Sequence, residues 1–201
     1  MGGGVGLTVH GMYRVATENT LFAMPETAIG FFPDVGGTFF LPKLDNHMGM
    51  YFALTGSALK GQDVYHAGIA THFVPSTRIE MLKARLCDVS LTPAAISDSI
   101  DDFSAELEPF SLEPLRVHIE ECFGKSSVTE IISSVESKLS SSDKNVTSWA
   151  QKTLKELKAV SPLSLQVTFA LLKQNVNFSL NKALQVEYSA SQAFMVKKIL
   201  I

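Results

Sequence analysis

The chain has 201 residues, 46% apolar and 18% charged, a composition typical of folded globular proteins that excludes an intrinsically disordered chain. Its formal net charge is −3, from 17 basic and 20 acidic residues, and it has no dense basic run, so neither nucleic acid nor a membrane surface is indicated as a partner. No apolar run approaches the ~18 residues that a membrane span needs, and we therefore predict no membrane segment.

The first third of the chain is predicted to alternate short strands, turns and helices. A glycine run over residues 2–6 leads into a short helix, whose small residues allow close approach to a neighbour. Pro25 ends the second strand, because proline lacks a ladder donor and holds the preceding residue extended. The predicted elements are a helix over residues 5–9, strands over 12–17, 21–24 and 69–74, and helices over 38–44, 47–55 and 59–68.

From Ser76 onward the apolar residues recur at helical spacing, and no strand is predicted. The polar linker over residues 140–143 caps the helix that follows it, and Ser161 with Pro162 caps the next. The composition change near residue 76 predicts an α/β fold with two regions, strands and helices over 1–75 and an all-helical region over 76–201. The predicted helices cover residues 79–86, 93–103, 115–123, 128–139, 146–160, 163–174 and 180–195.

Several common site motifs are missing from the sequence. The glycine run lacks the G-x-G-x-x-G spacing of dinucleotide sites, and GSALKG at residues 56–61 continues with Gln-Asp where a phosphate loop needs Lys and Ser/Thr. There is no G-x-S-x-G elbow and no H-E-x-x-H motif, so no sequence motif supports serine-hydrolase or zinc-protease chemistry. The five histidines are scattered without ligand spacing, and we predict no metal site.

Two carboxylates stand in an otherwise apolar, turn-forming segment, MPETAIGFFPDVGGT at residues 24–38. Apolar surroundings raise the free-energy cost of a charged carboxylate, and a carboxylate in such a place becomes chemically useful. Glu26 and Asp34 are therefore the candidate catalytic residues. Taken singly, each also has a purely structural interpretation, because a glutamate often begins a helix and an aspartate often forms a turn.

The order and spacing of several runs resemble the crotonase superfamily, the enoyl-CoA hydratase/isomerase enzymes. The resemblance implies part of a spiral of ββα repeats followed by an all-helical C-terminal region. It also implies an acyl-CoA substrate, whose thioester carbonyl is held in an oxyanion hole. The matching runs are GGG at residues 2–4, FAMPE at 22–26, GFFPDVGG at 30–37, LTG at 54–56 and LKGQDVYHAGIATHFV at 59–74.

The resemblance assigns a role to each matching residue. Gly3 matches a glycine whose backbone N–H is one of two oxyanion donors, Glu26 matches the catalytic glutamate, and Asp34 matches the second carboxylate of the family's hydrolases. Hydratases of the family carry a further glutamate where this chain has Gly6, so thioester hydrolysis is favoured over hydration of a double bond. The implied reaction is hydrolysis of 3-hydroxyisobutyryl-CoA in valine breakdown, with no metal and no cofactor, since CoA is part of the substrate.

The sequence also allows other interpretations. One is a hydratase- or isomerase-like enzyme of the same family, and another is a non-catalytic protein of the mitochondrial ribosome's small subunit, since some such proteins are similar to this family. The resemblance implies a mitochondrial location, with a peroxisomal one as the alternative, and leaves homo-oligomer formation open. The sequence lacks the family's N-terminal part and C-terminal end, so we expect a truncated form that is inactive and only marginally stable by itself.

Overall fold

The structure, a computed structural model, describes residues 1–196, and four strands of two residues each form two separate ladders within them. β1 pairs with β4 in parallel, with Val15 opposite His72. β2 pairs with β3 antiparallel, with Leu21 opposite Lys60. The strands are β1 (Val15–Ala16), β2 (Leu21–Phe22), β3 (Leu59–Lys60) and β4 (His72–Phe73).

The first third also holds four α-helices within the described residues, and the third of them is buried along its whole length. These are α1 (Gly3–Thr8), α2 (Gly37–Phe40), α3 (Met48–Thr55) and α4 (Asp63–His66). α3 ends at Gly56, which adopts φ 67° and donates its N–H to Phe52 O at 2.9 Å. Glycine adopts this left-handed conformation without a steric penalty, which is why it ends helices so often. The helix predicted over residues 47–55 is confirmed to within one residue.

Two features of the predicted elements are wrong. The helix predicted over residues 59–68 is two elements, because Leu59–Lys60 pairs with β2 before the chain turns into α4. Gly61 makes that turn with φ 56° and donates its N–H to Thr20 O at 2.8 Å. The strands predicted over residues 12–17, 21–24 and 69–74 lie in the right places, but only two residues of each pair with a neighbour.

Within the described residues, β4 is followed by seven α-helices and by no further strand, which confirms the helical prediction for this part. They are α5 (Ile79–Asp88), α6 (Pro93–Asp101), α7 (Arg116–Phe123), α8 (Val128–Ser137), α9 (Lys144–Ala159), α10 (Pro162–Asn175) and α11 (Leu180–Val196). The Asp143 carboxylate caps α9 by accepting the Asn145 N–H at 2.8 Å, and Ser161 caps α10. No helix in residues 1–196 is long and apolar enough to cross a membrane.

The main hydrophobic core joins the two predicted regions. α3 packs against α7, α9 and α10, and its Tyr51 ring contacts Phe123 of α7 and Trp149 of α9. A second, smaller apolar cluster holds α5 and α6 against the residue that follows β4. α3 is thus the buried element on which the helical half rests, while the division of the chain at residue 75 stays a prediction.

Candidate active site

Residues 24–38 carry both candidate carboxylates, and their local conformation follows from prolines and glycines. The extended segment ends at a proline, and a 3-10 turn over Glu26–Ile29 begins directly after it. Gly30 closes the turn with φ 74°, a left-handed conformation that favours glycine. The next amide, Phe31 N–H, donates to the backbone oxygen of Glu26 at 3.0 Å. The backbone that carries the Glu26 side chain is therefore fixed at the start of this turn.

The Glu26 carboxyl lies in an apolar, largely dry position. The residue is 8% exposed, and its Oε2 makes no hydrogen bond to any residue in 1–196. Burial raises the pKa of Glu26 from 4.5 to about 7; a hydrogen bond from its own backbone N–H opposes the rise, the negative charge of Asp34 adds to it, and the amino group of Met1 opposes it. Glu26 is therefore close to half-ionised near neutral pH, as a general base or nucleophile requires.

Asp34 lies on a turn with an unusual backbone. Burial raises the pKa of its half-buried carboxyl, and a hydrogen bond from its own backbone N–H opposes the rise. The Gly37 N–H closes the turn by donating to Asp34 O at 2.8 Å. Between these residues, Val35 has φ 52° and Gly36 has φ 84°. A left-handed conformation costs a residue with a side chain about 1–2 kcal/mol, so Val35 must be held by its neighbours.

Helix α1 packs directly on the Asp34 turn. A Cβ on Gly6 would lie 2.7 Å from the Cβ of Val35, so glycine is needed for this close approach. The Nε2–H of His10 donates to Val35 O at 3.1 Å, and the direction follows because a carbonyl oxygen only accepts. The charges of Asp34 and of the chain's amino group both act on Glu26. The structure thus places α1 and the residues that follow it against the turn that carries Asp34.

Gly3, the predicted oxyanion donor, is exposed in the first turn of α1. Among the described residues, a Cβ added at Gly3 would meet no atom within 4 Å, and the same holds at Gly2 and Gly4. Packing therefore does not explain these glycines, and space is open beside the Gly3 backbone. Its role as a hydrogen-bond donor to substrate stays a prediction.

A third carboxylate, Glu187 of α11, is 3% exposed and was not among the residues predicted for the site. It accepts hydrogen bonds from the Gly36 N–H at 2.8 Å and from the N–H and hydroxyl of Thr38 at 3.0 and 2.6 Å. Gly36 stands 151 positions earlier in the chain, so no local pattern could reveal the contact. One sequence pattern did indicate that Glu187 is buried, because it shares a helical face with the apolar residues Ala183 and Phe194.

A separate cleft lies beside α1 and does not include the carboxylate pair. A cleft of about 600 Å³ is lined by α1 and by strands β1 and β2, with Val5 and Phe22 among its walls, and neither Glu26 nor Asp34 lines it. In the part of the chain that the structure describes, no group of three or more His, Cys, Asp or Glu could hold a metal ion. The site is therefore identified by the environment of its two carboxylates and not by the volume of a cleft.

The raised pKa of Glu26 predicts a pH-dependent stability. A carboxyl with a pKa of 4.5 when unfolded and about 7 when folded stabilises the fold fully below pH 4.5 and loses this effect as the pH rises through 7. We expect the free energy of unfolding to fall by about 3 kcal/mol across this window. In urea titrations at several pH values, Glu26→Gln should lack this part of the slope, and the exposed-site control Glu106→Gln should keep it. An unchanged slope in Glu26→Gln would contradict the raised pKa.

Sequence comparison identifies the family. The sequence model of the enoyl-CoA hydratase/isomerase family matches residues 1–199, and the chain belongs to this family. It is 50% identical to the mitochondrial 3-hydroxyisobutyryl-CoA hydrolase of Dictyostelium discoideum, over 98% of this chain and 51% of that protein. It is 40% identical to the small ribosomal subunit protein mS47 of Neurospora crassa, over 97% of this chain and 41% of that protein. The chain spans about half the length of the curated relatives it matches.

Solved structures of similar fold support the same family assignment. The crystal structure of a carnitinyl-CoA dehydratase from Mycobacterium thermoresistibile matches with a TM-score of 0.79 and 32% sequence identity, over 94% of this chain and 52% of that chain. The predicted α/β fold, part of a crotonase-type ββα spiral followed by a helical region, is thereby confirmed.

Proposed function

We propose that this chain carries the carboxylate pair of an enzyme that hydrolyses 3-hydroxyisobutyryl-CoA to 3-hydroxyisobutyrate and CoA. The observation that carries the proposal is the buried Glu26 carboxyl, whose Oε2 has no hydrogen-bond partner in residues 1–196 and whose pKa is raised by burial and by the charge of the half-buried Asp34. The choice of substrate is supported by the 50% identical relative, whose name states it. CoA belongs to the substrate, and the proposed reaction needs no further cofactor.

Each residue has a distinct part in the proposed reaction. In one route the Glu26 carboxylate attacks the acyl carbon and the carbon–sulfur bond breaks, which leaves an anhydride and the CoA thiolate; water then hydrolyses the anhydride and restores Glu26. In the other route Glu26 removes a proton from a water whose oxygen attacks the acyl carbon directly, and the carbon–sulfur bond then breaks. In both routes one proton of this water ends on the CoA sulfur: Asp34 accepts it from water in the first route and from Glu26 in the second, and passes it to the thiolate. The Gly3 N–H donates to the carbonyl oxygen as negative charge develops there.

The surroundings of Gly6 argue against hydration by a pair of glutamates. The resemblance to the family's hydratases would call for a glutamate at this position. In this chain a side chain at Gly6 would overlap Val35 of the Asp34 turn, whose Cβ lies 2.7 Å from the position of an added Cβ. The site therefore combines one glutamate with an aspartate, which favours hydrolysis.

A chimera tests the proposed function, because the chain spans about half of its relatives. Residues 1–201 replace the matched half of the Dictyostelium discoideum hydrolase, and circular dichroism and CoA binding first establish that the chimera folds. We expect it to release CoA thiol from 3-hydroxyisobutyryl-CoA faster than it hydrates crotonyl-CoA, with the intact relative as positive control. Preferential hydration, or thiol release no faster than in a chimera with Glu26→Gln and Asp34→Asn, would contradict the proposal. The isolated chain, assayed in parallel, tests the expectation that it is inactive alone.

A structural role in the mitochondrial ribosome is the second candidate, favoured by the likeness to mS47. The net charge of −3 gives no help in contacting RNA phosphates, and a structural subunit has no need of a buried carboxylate with a raised pKa. Co-sedimentation of the tagged chain with ribosomal particles at physiological salt would favour this role.

For either function we propose a mitochondrial location, since the hydrolase relatives are named mitochondrial. Peroxisomal localisation of the tagged chain in cells would contradict this proposal.

A further inference from the structure

Glu187 is a buried carboxylate whose three hydrogen bonds within the described residues all go to Gly36 and Thr38, where the turn that carries Asp34 leads into α2. Its Oε2 accepts the Gly36 N–H, and its Oε1 accepts both the N–H and the hydroxyl of Thr38. The Thr38 hydroxyl in turn accepts a hydrogen bond from the Asn175 side-chain N–H at 2.8 Å. Hydrogen bonds to an ionised acceptor are roughly twice as strong as neutral ones. Helices α10 and α11 are therefore both tied to this turn.

The peptide group between Val35 and Gly36 is held at both of its ends. Its carbonyl accepts the Nε2–H of His10 at 3.1 Å, and its N–H donates to Glu187 at 2.8 Å. Val35 needs this support, because φ 52° is unfavourable for a β-branched residue and persists only where the surroundings enforce it. Rotation of this peptide plane would break both hydrogen bonds at once.

Helix α11 also packs against the segment that precedes Asp34. The Phe194 ring lies with its centroid 5.5 Å from the Phe31 centroid and 5.5 Å from the Phe32 centroid. α11 therefore contacts the chain on both sides of Asp34, through aromatic packing before it and through Glu187 after it. These two contacts are chemically different and can be removed separately.

We propose that Glu187 is a positioning residue for Asp34. By holding the peptide between Val35 and Gly36 and the amide of Thr38, it keeps the turn in its left-handed conformation and so fixes where the Asp34 carboxyl lies. The catalytic use of this position rests on the proposed function, whereas the positioning itself does not. Without Glu187 the turn relaxes, and the Asp34 carboxyl gains contact with water.

Hydrogen exchange and carboxyl NMR on the 201-residue chain test the positioning. Glu187→Gln keeps the size of the side chain but replaces one acceptor oxygen by an amide NH₂, which cannot accept. We expect the Gly36 and Thr38 amides to exchange about 10- to 100-fold faster in this variant, while the amide of Phe52 in α3 keeps its rate. We also expect the pKa of Asp34 to move down toward its ordinary value, a change that a general loss of stability does not produce in the folded state.

Phe194→Leu is the matched control, because it loosens the same helix on the segment before Asp34 without touching Glu187. Equal acceleration of the two amides in both variants, or an unchanged Asp34 titration in Glu187→Gln, would overturn the proposal. Should Glu187→Gln fail to fold, Thr38→Val replaces it and is expected to accelerate Gly36 exchange by about 2- to 10-fold. In the chimera, Glu187→Gln should lower kcat and leave KM unchanged. A chimera without any turnover would overturn the proposed function but not the positioning role of Glu187. The exchange and titration results would then decide whether Glu187 positions Asp34.

Discussion

Glu26→Gln is expected to lower thioester turnover in the chimera by about 10²–10⁴-fold, the contribution typical of a positioned acid–base group. Glutamine preserves the volume of this buried side chain but can neither attack the acyl carbon nor take up a proton. Because the carboxyl is proposed to act at the acyl carbon and away from the CoA nucleotide, the KM for the thioester should change little. Asp34→Asn is expected to act in the same direction.

Steady-state thiol release over a range of substrate concentrations measures both constants. Glu106→Gln is the matched control, since it makes the same chemical change at an exposed residue and should keep full turnover. A loss of CoA binding as large as the loss of turnover would indicate that Glu26 supports the fold and not the reaction. Full turnover in Glu26→Gln would remove Glu26 from the proposed mechanism.

Gly49→Ala is expected to weaken or abolish folding, although a change from glycine to alanine inside a helix normally stabilises it by up to ~1 kcal/mol. A Cβ at position 49 would lie 1.7 Å from the carbonyl oxygen of Leu41 and 2.3 Å from its carbonyl carbon. α3 would have to separate from the backbone at Leu41, at a place where every residue of the helix is buried. We expect a loss of more than about 4 kcal/mol, which lowers Tm by about 10 °C or more.

Thermal unfolding followed by circular dichroism measures this effect. The matched control is Gly4→Ala, a helical glycine of α1 at which an added Cβ meets no atom within 4 Å among the described residues. Its Tm should stay close to that of the unsubstituted chain. A Tm for Gly49→Ala within about 2 °C of the unsubstituted chain would mean that α3 does not approach Leu41 as closely as the structure shows.

The helices were predictable because the groups that form them lie within a few residues of each other. α9 begins where the Asp143 carboxylate accepts a nearby amide, and α10 begins at Ser161 followed by a proline. α3 ends at Gly56, where a left-handed residue is required. Glu26 and Asp34 could be predicted as site residues for the same reason. Prolines, glycines and a motif that resembles the family surround them in one short segment.

Contacts between distant segments were not predictable from local signals. Residues 59–60 precede a helix and match its composition, but they pair with Leu21–Phe22, which no pattern in residues 59–68 indicates. Glu187 could not be predicted as part of the site, because its hydrogen-bond partners lie 149 and 151 positions away in the sequence. A carboxylate on the apolar face of α11 indicates burial with a partner, but only the folded chain shows that this partner is the Asp34 turn.

The close approach of Gly6 to Val35 has an evolutionary consequence. The two positions are coupled, so a lineage that acquired a glutamate at position 6 while keeping valine at position 35 would distort the Asp34 turn. The reaction type that we propose for the site therefore depends on the packing of two residues that perform no chemistry.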